Sequence, residues 1–328
     1  MKSRTLTGIV AAVATLVSAS AALAEDAPLS IGYWTSGYSL GFGAVLEHEK
    51  FLEKAGVKAT YRHFSDVSAP AQAVLSGDLD VAFAAPAAAA FTLGQQGAPI
   101  RVILSTQVLE GQIVVPAKSP IKSIADLKGK KIGMSRPGSS TYAVVTTLLK
   151  NNYKMPTTDY TVIPGNEGQL AQLLVRGDIA AAALRNVTIA ELPAGTVRPL
   201  ANIVEEWKKL TKGGAAPALA VALTRADVVA KHPKELADFV KATEQAVEFG
   251  SAHPDEVAKI LTGAANLKPQ SAKAYANVWN DIYIASLTDE DVKTLKQENQ
   301  IFVDAGVAHG MAPDAIYAQG PFKAASGK

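Results

Sequence analysis

Cysteine is absent from this chain of 328 residues. Its absence excludes disulfide bonds and every chemistry that needs a thiol. An excess of one charge is also absent: once Lys2 and Arg4 of the N-terminal segment are set aside, the 30 remaining basic side chains equal the 30 acidic ones. Proteins that bind nucleic acids carry a basic face, so this balance argues against that class. Hydrophobic residues make up 48% of the chain, enough for the cores of two ordinary domains.

Apolar runs are short everywhere, and the most prominent one lies at the N-terminus. Ile9–Val17 follows Lys2 and Arg4, and Ala22-Leu23-Ala24 offers a small-x-small cleavage site. The run is too short to span a bilayer, which takes about 20 apolar residues. We therefore expect residues 1–24 to be a secretory signal that is cleaved near Ala24, which predicts a mature chain outside the cytoplasmic membrane. The alternative is an uncleaved membrane anchor, which the small residues at the end of the segment disfavour.

Strand-like and helix-like segments alternate along the rest of the chain, a pattern typical of α/β proteins with mostly parallel sheets. Two stretches interrupt the alternation, a Pro/Lys/Ser-rich connection at 116–123 and a glycine-rich break at 212–215. Residues 76–80 and 176–180 echo each other, since each reads as the end of a helix, a Gly-Asp turn and the start of a strand. The echo predicts that one strand–helix–turn–strand device is used twice.

Three motifs follow one another in a fixed order. Residues 75–82 read LSGDLDVA, residues 123–133 read SIADLKGKKIG, and residues 138–142 read GSSTY. Together they resemble the signatures of periplasmic solute-binding proteins that serve ABC importers for nitrate, sulfonates, taurine and thiamine precursors. The agreement in order and spacing extends from about Ile31 to Thr224.

The resemblance implies a two-lobed periplasmic-binding-protein fold of type II, with a hinge of two crossovers and a ligand enclosed between the lobes. Lobe 1 would comprise residues 28–115 and 218–328, and lobe 2 residues 116–217. It also implies an ABC permease in the inner membrane as partner, a monomeric state, and no cofactor, metal or catalytic residue. The expected ligand is a small organic anion, either an aliphatic sulfonate or taurine-like compound or a carboxylate.

The candidate site lies where helices begin beyond the carboxyl ends of strands. Such helix starts present free amide groups and a partial positive charge, and they bind anions without a basic side chain. Two of these starts are candidates, and the alternative for each is ordinary helix capping. One carries the hydroxyls of Ser139, Ser140 and Thr141, and the other follows Ala85 and Pro86, where small side chains leave the backbone open. Asn166 begins a third helix, and its neighbour Glu167 is expected to complement the dipole of that helix.

Two arginines and one aromatic loop complete the candidate site. Arg185 ends a predicted strand and could clamp a carboxylate or sulfonate with its planar fork, and Arg136 precedes a flexible turn. For both, the alternative is a surface ion pair. A loop after the first strand supplies possible walls and donors for an organic body, namely Trp34, Thr35, Ser36 and Tyr38. Gln107 and Glu110 follow another strand; Glu110 could meet an ammonium group of a ligand, and solvation is the alternative that we expect.

One departure from the resemblance weakens a taurine assignment. Sulfonate- and taurine-binding relatives typically have an acidic residue, then an aromatic residue and a proline, where this chain has Ala180 and Arg185-Asn186-Val187. A planar heterocycle resembling a thiamine precursor therefore stays open as an alternative ligand. We also expect that Arg185→Ala weakens binding at least tenfold with little loss of stability.

An enzyme and a binding protein that signals through a receptor are the two alternatives to binding for import. An enzyme is disfavoured because the chain has no G-x-S-x-G motif and no metal-binding pair among its five histidines. The enzyme branch of the same superfamily that makes the thiamine pyrimidine carries a cysteine-rich motif, which this chain lacks. A binding protein that signals through a receptor is the other alternative, and the sequence does not separate it from import.

Overall fold

The computed structural model describes residues 28–327. The predicted signal segment and its cleavage near Ala24 lie outside these residues. The described part contains eleven strands: β1 (Leu29–Trp34), β2 (Ala59–Phe64), β3 (Val81–Pro86), β4 (Ile100–Val108), β5 (Gln112–Pro116), β6 (Lys131–Met134), β7 (Thr161–Pro164), β8 (Ala181–Leu184), β9 (Val197–Asn202), β10 (Ala218–Arg225) and β11 (Tyr283–Ser286).

Fifteen α-helices connect and cover these strands in the described part of the chain. They are α1 (Gly37–His48), α2 (Phe51–Lys54), α3 (Ala69–Ser76), α4 (Ala87–Gln95), α5 (Ser140–Tyr153), α6 (Glu167–Arg176), α7 (Asn186–Glu191), α8 (Ile203–Thr211), α9 (Ala226–Lys231), α10 (Pro233–Ala252), α11 (Pro254–Gly263), α12 (Pro269–Asn277), α13 (Trp279–Ile282), α14 (Asp289–Asp304) and α15 (Gly320–Ala325). Among residues 28–327, no helix is both long and apolar enough to cross a bilayer.

The strands form two separate sheets. The first has the order β11-β4-β10-β3-β1-β2, and the second has the order β9-β5-β8-β6-β7. Apart from the edge strand β11, the two orders correspond position by position, with β10 and β5 in equivalent places. This is the two-lobed α/β arrangement that the sequence predicts, so the predicted fold class is confirmed.

Each sheet is parallel in one half only. The strands β2, β1 and β3 are mutually parallel, as are β7, β6 and β8. In contrast, β10 pairs antiparallel with both β3 and β4, and β5 pairs antiparallel with both β8 and β9. The prediction of mostly parallel sheets is therefore wrong for the other half of each sheet. The physical reason is that β5 and β10 each enter a sheet directly after the chain has crossed from the other one, and so run against the local direction.

The crossing positions differ slightly from the predicted boundaries. The strand β5 lies in the second sheet, although the predicted lobe 1 extends to residue 115. The chain leaves the first sheet after β4 at Val108 and returns to it with β10 at Ala218. The first crossing is thus the short segment 109–111, and the proline-rich connection that follows β5 lies inside the second unit.

The repeated turn has the same geometry in both sheets. Helix α3 ends at Gly77 with φ of 89° and helix α6 ends at Gly177 with φ of 79°. Positive φ is the left-handed region, which glycine enters without steric penalty. Each glycine then bonds back to its own helix, Gly77 N–H to the Val74 carbonyl at 3.2 Å and Gly177 N–H to the Leu174 carbonyl at 3.1 Å. The echo in the sequence therefore marks one turn used twice.

A cluster of interlocked aromatic rings fills the core beside the first sheet. Phe42 packs edge-on against Phe83 and Trp279, and Trp279 lies 4.3 Å from Tyr283 between ring centroids. Gly250 of α10 makes room for the indole, since a Cβ atom there would lie 2.0 Å from Trp279 Cε2. Full burial of such side chains contributes about 1.5–3 kcal/mol each. The cluster fixes α1 and its N-terminal loop against the sheet.

Candidate functional site

A cleft of about 720 Å³, including solvent at its mouth, lies between the two sheets. Both sheets contribute to it. The parallel strands β1, β3, β6 and β8 all end at this cleft, which is where α/β folds place ligands. Its lining comprises Trp34, Tyr38, Ser39, Ser65, Asp66, Val67, Ala84, Pro86, Gln107, Ser135, Arg136, Ser139, Ser140, Thr141, Gly165, Asn166, Gln169, Arg185, Leu219 and Ala220.

Helix N-termini from both sheets converge on the cleft. Helix α1 begins beside Trp34, α4 follows Pro86, α5 follows Ser139, and α6 follows Asn166. Each helix start carries up to four amide groups without an intrahelical partner and about half a positive charge. The cleft therefore has a positive bias from backbone dipoles alone.

The three hydroxyls at the start of α5 already have partners inside the protein. Ser139 Oγ accepts from Tyr142 N–H at 3.2 Å and donates to the Arg136 carbonyl at 2.8 Å, so Ser139 caps the helix. Ser140 Oγ accepts from Ala88 N–H at 3.2 Å, which links α5 to the start of α4. Thr141 Oγ1 accepts from Arg185 Nη2 at 3.3 Å. All three residues line the cleft, and ligand contact by them stays a prediction.

Arg185 forms a buried ion pair. Its Nη1 lies 2.6 Å from Glu167 Oε1, with side-chain exposures of only 6% and 8%, and its backbone N–H donates to Glu167 Oε2 at 3.0 Å. The guanidinium also stacks on the Tyr38 ring, 5.2 Å from its centroid. Burial by itself lowers the pKa of Arg185, but Glu167 and its other neighbours raise it above the usual value. The arginine is therefore charged and fixed in place.

This pair corrects two expectations from the sequence. Glu167 was expected to complement the dipole of its own helix, and although it lies in the first turn of α6, both its oxygens bind Arg185. Arg185 lies at the cleft as predicted, but with its charge matched by a carboxylate. Removing one member of such a pair is strongly destabilising, by about 3–5 kcal/mol. The buried pair therefore contradicts the expectation that Arg185→Ala has little effect on stability.

Arg136 differs from Arg185 in its exposure to solvent. Its side chain lies at the cleft and is exposed, and it has no hydrogen-bond or ion-pair partner within residues 28–327. The exposed Asp66 lies on the lining as well, after β2 of the first sheet. Arg136 thus offers an unpaired positive charge at the rim, whereas Arg185 offers a neutralised one in the interior.

Glu110 lies in the first crossing segment and joins the two walls. Its carboxylate accepts a hydrogen bond from the Tyr38 hydroxyl and another from Asn186 N–H at 3.0 Å. Burial raises the pKa of Glu110, while the Tyr38 hydroxyl, the Asn186 amide and Arg185 act in the opposite direction. Burial and the nearby Glu110 also raise the pKa of Tyr38 well above its ordinary value. The expectation of a solvated Glu110 is wrong, because its carboxylate is half-buried and bonded to Tyr38 and Asn186.

The structure brings nine of the twelve predicted site residues to the cleft lining: Trp34, Tyr38, Pro86, Arg136, Ser139, Ser140, Thr141, Asn166 and Arg185. The other three lie elsewhere. Thr35 binds the Phe64 carbonyl with both its hydroxyl and its amide, at 3.0 and 2.9 Å. Ser36 precedes α1 without a side-chain cap bond. Ala85 faces the opposite side of β3 from Ala84 and Pro86, because side chains alternate along a strand.

The cleft also contains residues that the sequence reasoning did not assign to it. Ser65, Asp66 and Val67 follow the end of β2, and Gly165 follows the end of β7. The rule that ligands lie beyond the carboxyl ends of strands identifies all of these once the strands are placed. The prediction that Gln107 follows a strand is wrong, because β4 continues to Val108, and Gln107 belongs to the wall of the cleft. Within residues 28–327, no three His, Asp or Glu side chains are grouped so that they could hold a metal ion.

Comparison with known proteins agrees with this geometry. A binding protein of Brucella abortus is 27% identical over 92% of this chain and 89% of its own length. The taurine-binding periplasmic protein of Escherichia coli is 24% identical over 62% of this chain and 61% of its own. Both relatives are binding proteins by name.

Solved structures share the fold. The alkanesulfonate-binding protein SsuA of Xanthomonas axonopodis pv. citri, bound to MOPS, has a TM-score of 0.75 at 18% identity, over 90% of this chain and 99% of that one. The desulfurization enzyme DszB has the same fold, with a TM-score of 0.64 at 14% identity over 91% of this chain and 99% of its own. The fold alone therefore supports both binding and catalysis.

The sequence model of one family matches residues 44–257, well over half of the chain. That match covers β2 to β10 and so includes most of the cleft lining. By this match, the chain belongs to the NMT1/THI5-like family.

Proposed function

We propose that this chain is the extracytoplasmic substrate-binding component of an ABC importer and that it captures a small organic anion between two lobes. The ligand class is an aliphatic sulfonate, a taurine-like compound or a carboxylate. The proposal includes secretion to the periplasm with cleavage near Ala24, a monomeric state, and delivery of the ligand to an ABC permease in the inner membrane. Lobe 1 would comprise residues 28–108 and 218–328, and lobe 2 residues 112–217.

The observation that carries this proposal is the convergence of four helix N-termini and two arginines on one cleft between the sheets. Helix starts and guanidinium groups are the common protein partners of carboxylates, phosphates and sulfonates. The relatives that bind taurine and alkanesulfonate by name support the same class.

The anionic head would lie against the start of α5 at Ser139–Thr141, next to Arg185. Trp34 and Tyr38 would cover the organic body, since aromatic side chains provide flat apolar surface at low entropic cost. Arg136 at the rim would attract the anion from solution. A ligand that contacts both sheets gains contact energy only when the cleft is closed, and so it selects the closed state.

We also propose that the chain binds its ligand without transforming it. No histidine lines the cleft, and the described residues have no Ser-His-acid arrangement there. The described lining therefore offers no histidine as the general base of a Ser-His-acid triad.

A thermal-shift screen of the mature chain tests the proposal. The panel comprises taurine, ethanesulfonate, short carboxylates, amino acids and hydroxymethylpyrimidine, each over a range of concentrations. A true ligand stabilises the folded state by mass action, so the melting temperature should rise steadily with the concentration of a sulfonate or carboxylate. Stabilisation by the pyrimidine alone would favour the heterocycle instead, and titration calorimetry would measure the affinity of each hit.

A further inference from the structure

One polar side chain on the cleft wall has a buried hydrogen-bond donor for which the fold provides no partner. Gln107 lies on β4 of the first sheet, opposite Ala220 and Tyr283 on the neighbouring strands. The residue is only 1% exposed, and no described residue accepts a hydrogen bond from its Nε2. A buried donor without a partner costs about 1–3 kcal/mol. Nothing in the sheet itself compensates that loss, yet the side chain lines the cleft.

The neighbouring Thr106 provides a comparison on the same strand. It is fully buried, and its hydroxyl too has no partner in the described part of the chain. It does not belong to the cleft lining, since adjacent side chains on a strand point to opposite faces. The two residues therefore differ in the one property that matters for a ligand, which is access to the cleft.

A second unpartnered donor lines the same cleft from the other sheet. Arg185 binds Glu167 through Nη1 and Thr141 through Nη2, but its Nε has no acceptor among residues 28–327. The ion pair and the stacking on Tyr38 hold this guanidinium rigidly. One N–H donor from each sheet is thus buried, fixed and unused.

We propose that Gln107 determines the ligand specificity of this cleft. Its side-chain amide donates to one oxygen of the anionic head, and Arg185 Nε donates to the same head from the opposite wall. The inference rests on the proposed function, because it requires an anion in the cleft. The inner end of the ligand would then be an oxygen-rich acceptor such as a sulfonate or carboxylate, and not an ammonium group. A head with several oxygens can accept from both walls at once.

In this arrangement, Gln107 couples ligand binding to closure of the cleft. Arg185 holds the head to the second sheet, and Gln107 adds the first sheet only when the walls approach each other. The amide therefore contributes to affinity in the closed state and not in the open one, which is the differential contact that closure needs.

The test is titration calorimetry with ethanesulfonate on four mature proteins: wild type, Gln107→Met, Gln107→Glu and Thr106→Val. Gln107→Met keeps the volume and removes the donor, so the dissociation constant should rise about tenfold to a hundredfold. Gln107→Glu replaces the donor with a carboxylate that repels the head, and binding should fall more than a hundredfold. Thr106→Val should leave the affinity within a factor of two.

Unfolding separates loss of binding from loss of fold. The ligand-free Gln107→Met protein should melt at the wild-type temperature or above it, because the substitution removes an unpartnered buried group. Only its stabilisation by ethanesulfonate should shrink.

The outcomes distinguish this inference from the function on which it rests. If wild type binds no anion in the panel, both fail. If wild type binds ethanesulfonate and Gln107→Glu binds it equally well or more tightly, the anion-binding function stands and the role of Gln107 is overturned. Equal affinity of Gln107→Met and wild type for ethanesulfonate would likewise overturn the role of Gln107.

Discussion

In the first sheet, the parallel strands β1 and β3 end at Trp34 and Pro86, whereas in the second sheet the equivalent strands β6 and β8 end beside Arg136 and Arg185. The strand orders match, and helices begin after all four strands. On the first wall the strands therefore end at an aromatic residue and a proline, and on the second wall they end beside the two arginines. The difference teaches that topology fixes where a ligand is held, while the residue at each strand end decides what holds it.

The largest expected effect comes from removing the buried charge of the second wall. Arg185→Ala leaves Glu167 buried without its cation, so the free energy of unfolding should fall by about 3–5 kcal/mol, measured by urea denaturation. The matched control is Arg176→Ala, which breaks the exposed pair with Asp178 and should cost less than about 1 kcal/mol. Similar losses for both variants would contradict the role given to burial.

A second test concerns a buried carboxyl that has no cation. Glu298 of α14 accepts from Ala218 N–H, where the chain returns to the first sheet, and its other oxygen has no partner in the described structure. Burial raises the pKa of Glu298 to about 8. A raised folded pKa stabilises at low pH, so this contribution is present below about pH 4.5 and is lost as the pH rises towards 8.

Glu298→Gln should therefore flatten the dependence of stability on pH. The amide keeps an acceptor for Ala218 N–H and cannot ionise, so the variant should be a few kcal/mol more stable than wild type near pH 9 and similar to it near pH 5. Melting curves of both proteins between pH 5 and 9 measure the difference. Parallel curves would mean that Glu298 does not titrate in this range.

On the first wall, Trp34→Ala should weaken ethanesulfonate binding about tenfold, or 1.4 kcal/mol, through loss of apolar cover. This loss should not change with salt, because no charge is involved. Calorimetry at low and high ionic strength checks both statements. Thr35→Ala is the control, since Thr35 adjoins Trp34 but lies off the cleft lining, and its affinity should equal that of wild type.

The smallest effect is expected at the rim of the second wall. Arg136 is exposed, so Arg136→Met should weaken binding by only about 0.2–1 kcal/mol at low salt. The difference should shrink as ionic strength rises, because solvent-exposed charges are screened over about 10 Å at 0.1 M. A loss that persists at high salt would place Arg136 in direct contact with the ligand and would reduce the contrast between the two arginines.

Local signals in the sequence predict much of this fold. The helix starts at Ser139 and Asn166 depend on capping by the residue itself, with Ser139 accepting from Tyr142 N–H and Asn166 from Gln169 N–H. The turns at Gly77 and Gly177 likewise need only their own glycine. Such features involve residues three or four positions apart, which is the range that a sequence pattern displays directly.

Features that depend on distant partners were missed. The strand β9 escaped prediction because Pro199 interrupts its pattern, which is tolerated there because β9 is an edge strand. The sheet to which β5 belongs depends on pairing with β8 and β9, far along the chain. The pairing of Arg185 with Glu167 required knowing that α6 begins beside the end of β8. The unpartnered amide of Gln107 could not be recognised, because a missing partner is visible only in three dimensions.

The hydrogen bond from Ala88 N–H to Ser140 Oγ bears on the proposed opening of the cleft. It joins two helix starts that belong to different sheets, so separation of the halves must break it. Water can replace such a bond on both groups with little change in enthalpy. Loss of this one bond therefore adds little enthalpy to the proposed separation of the two sheets.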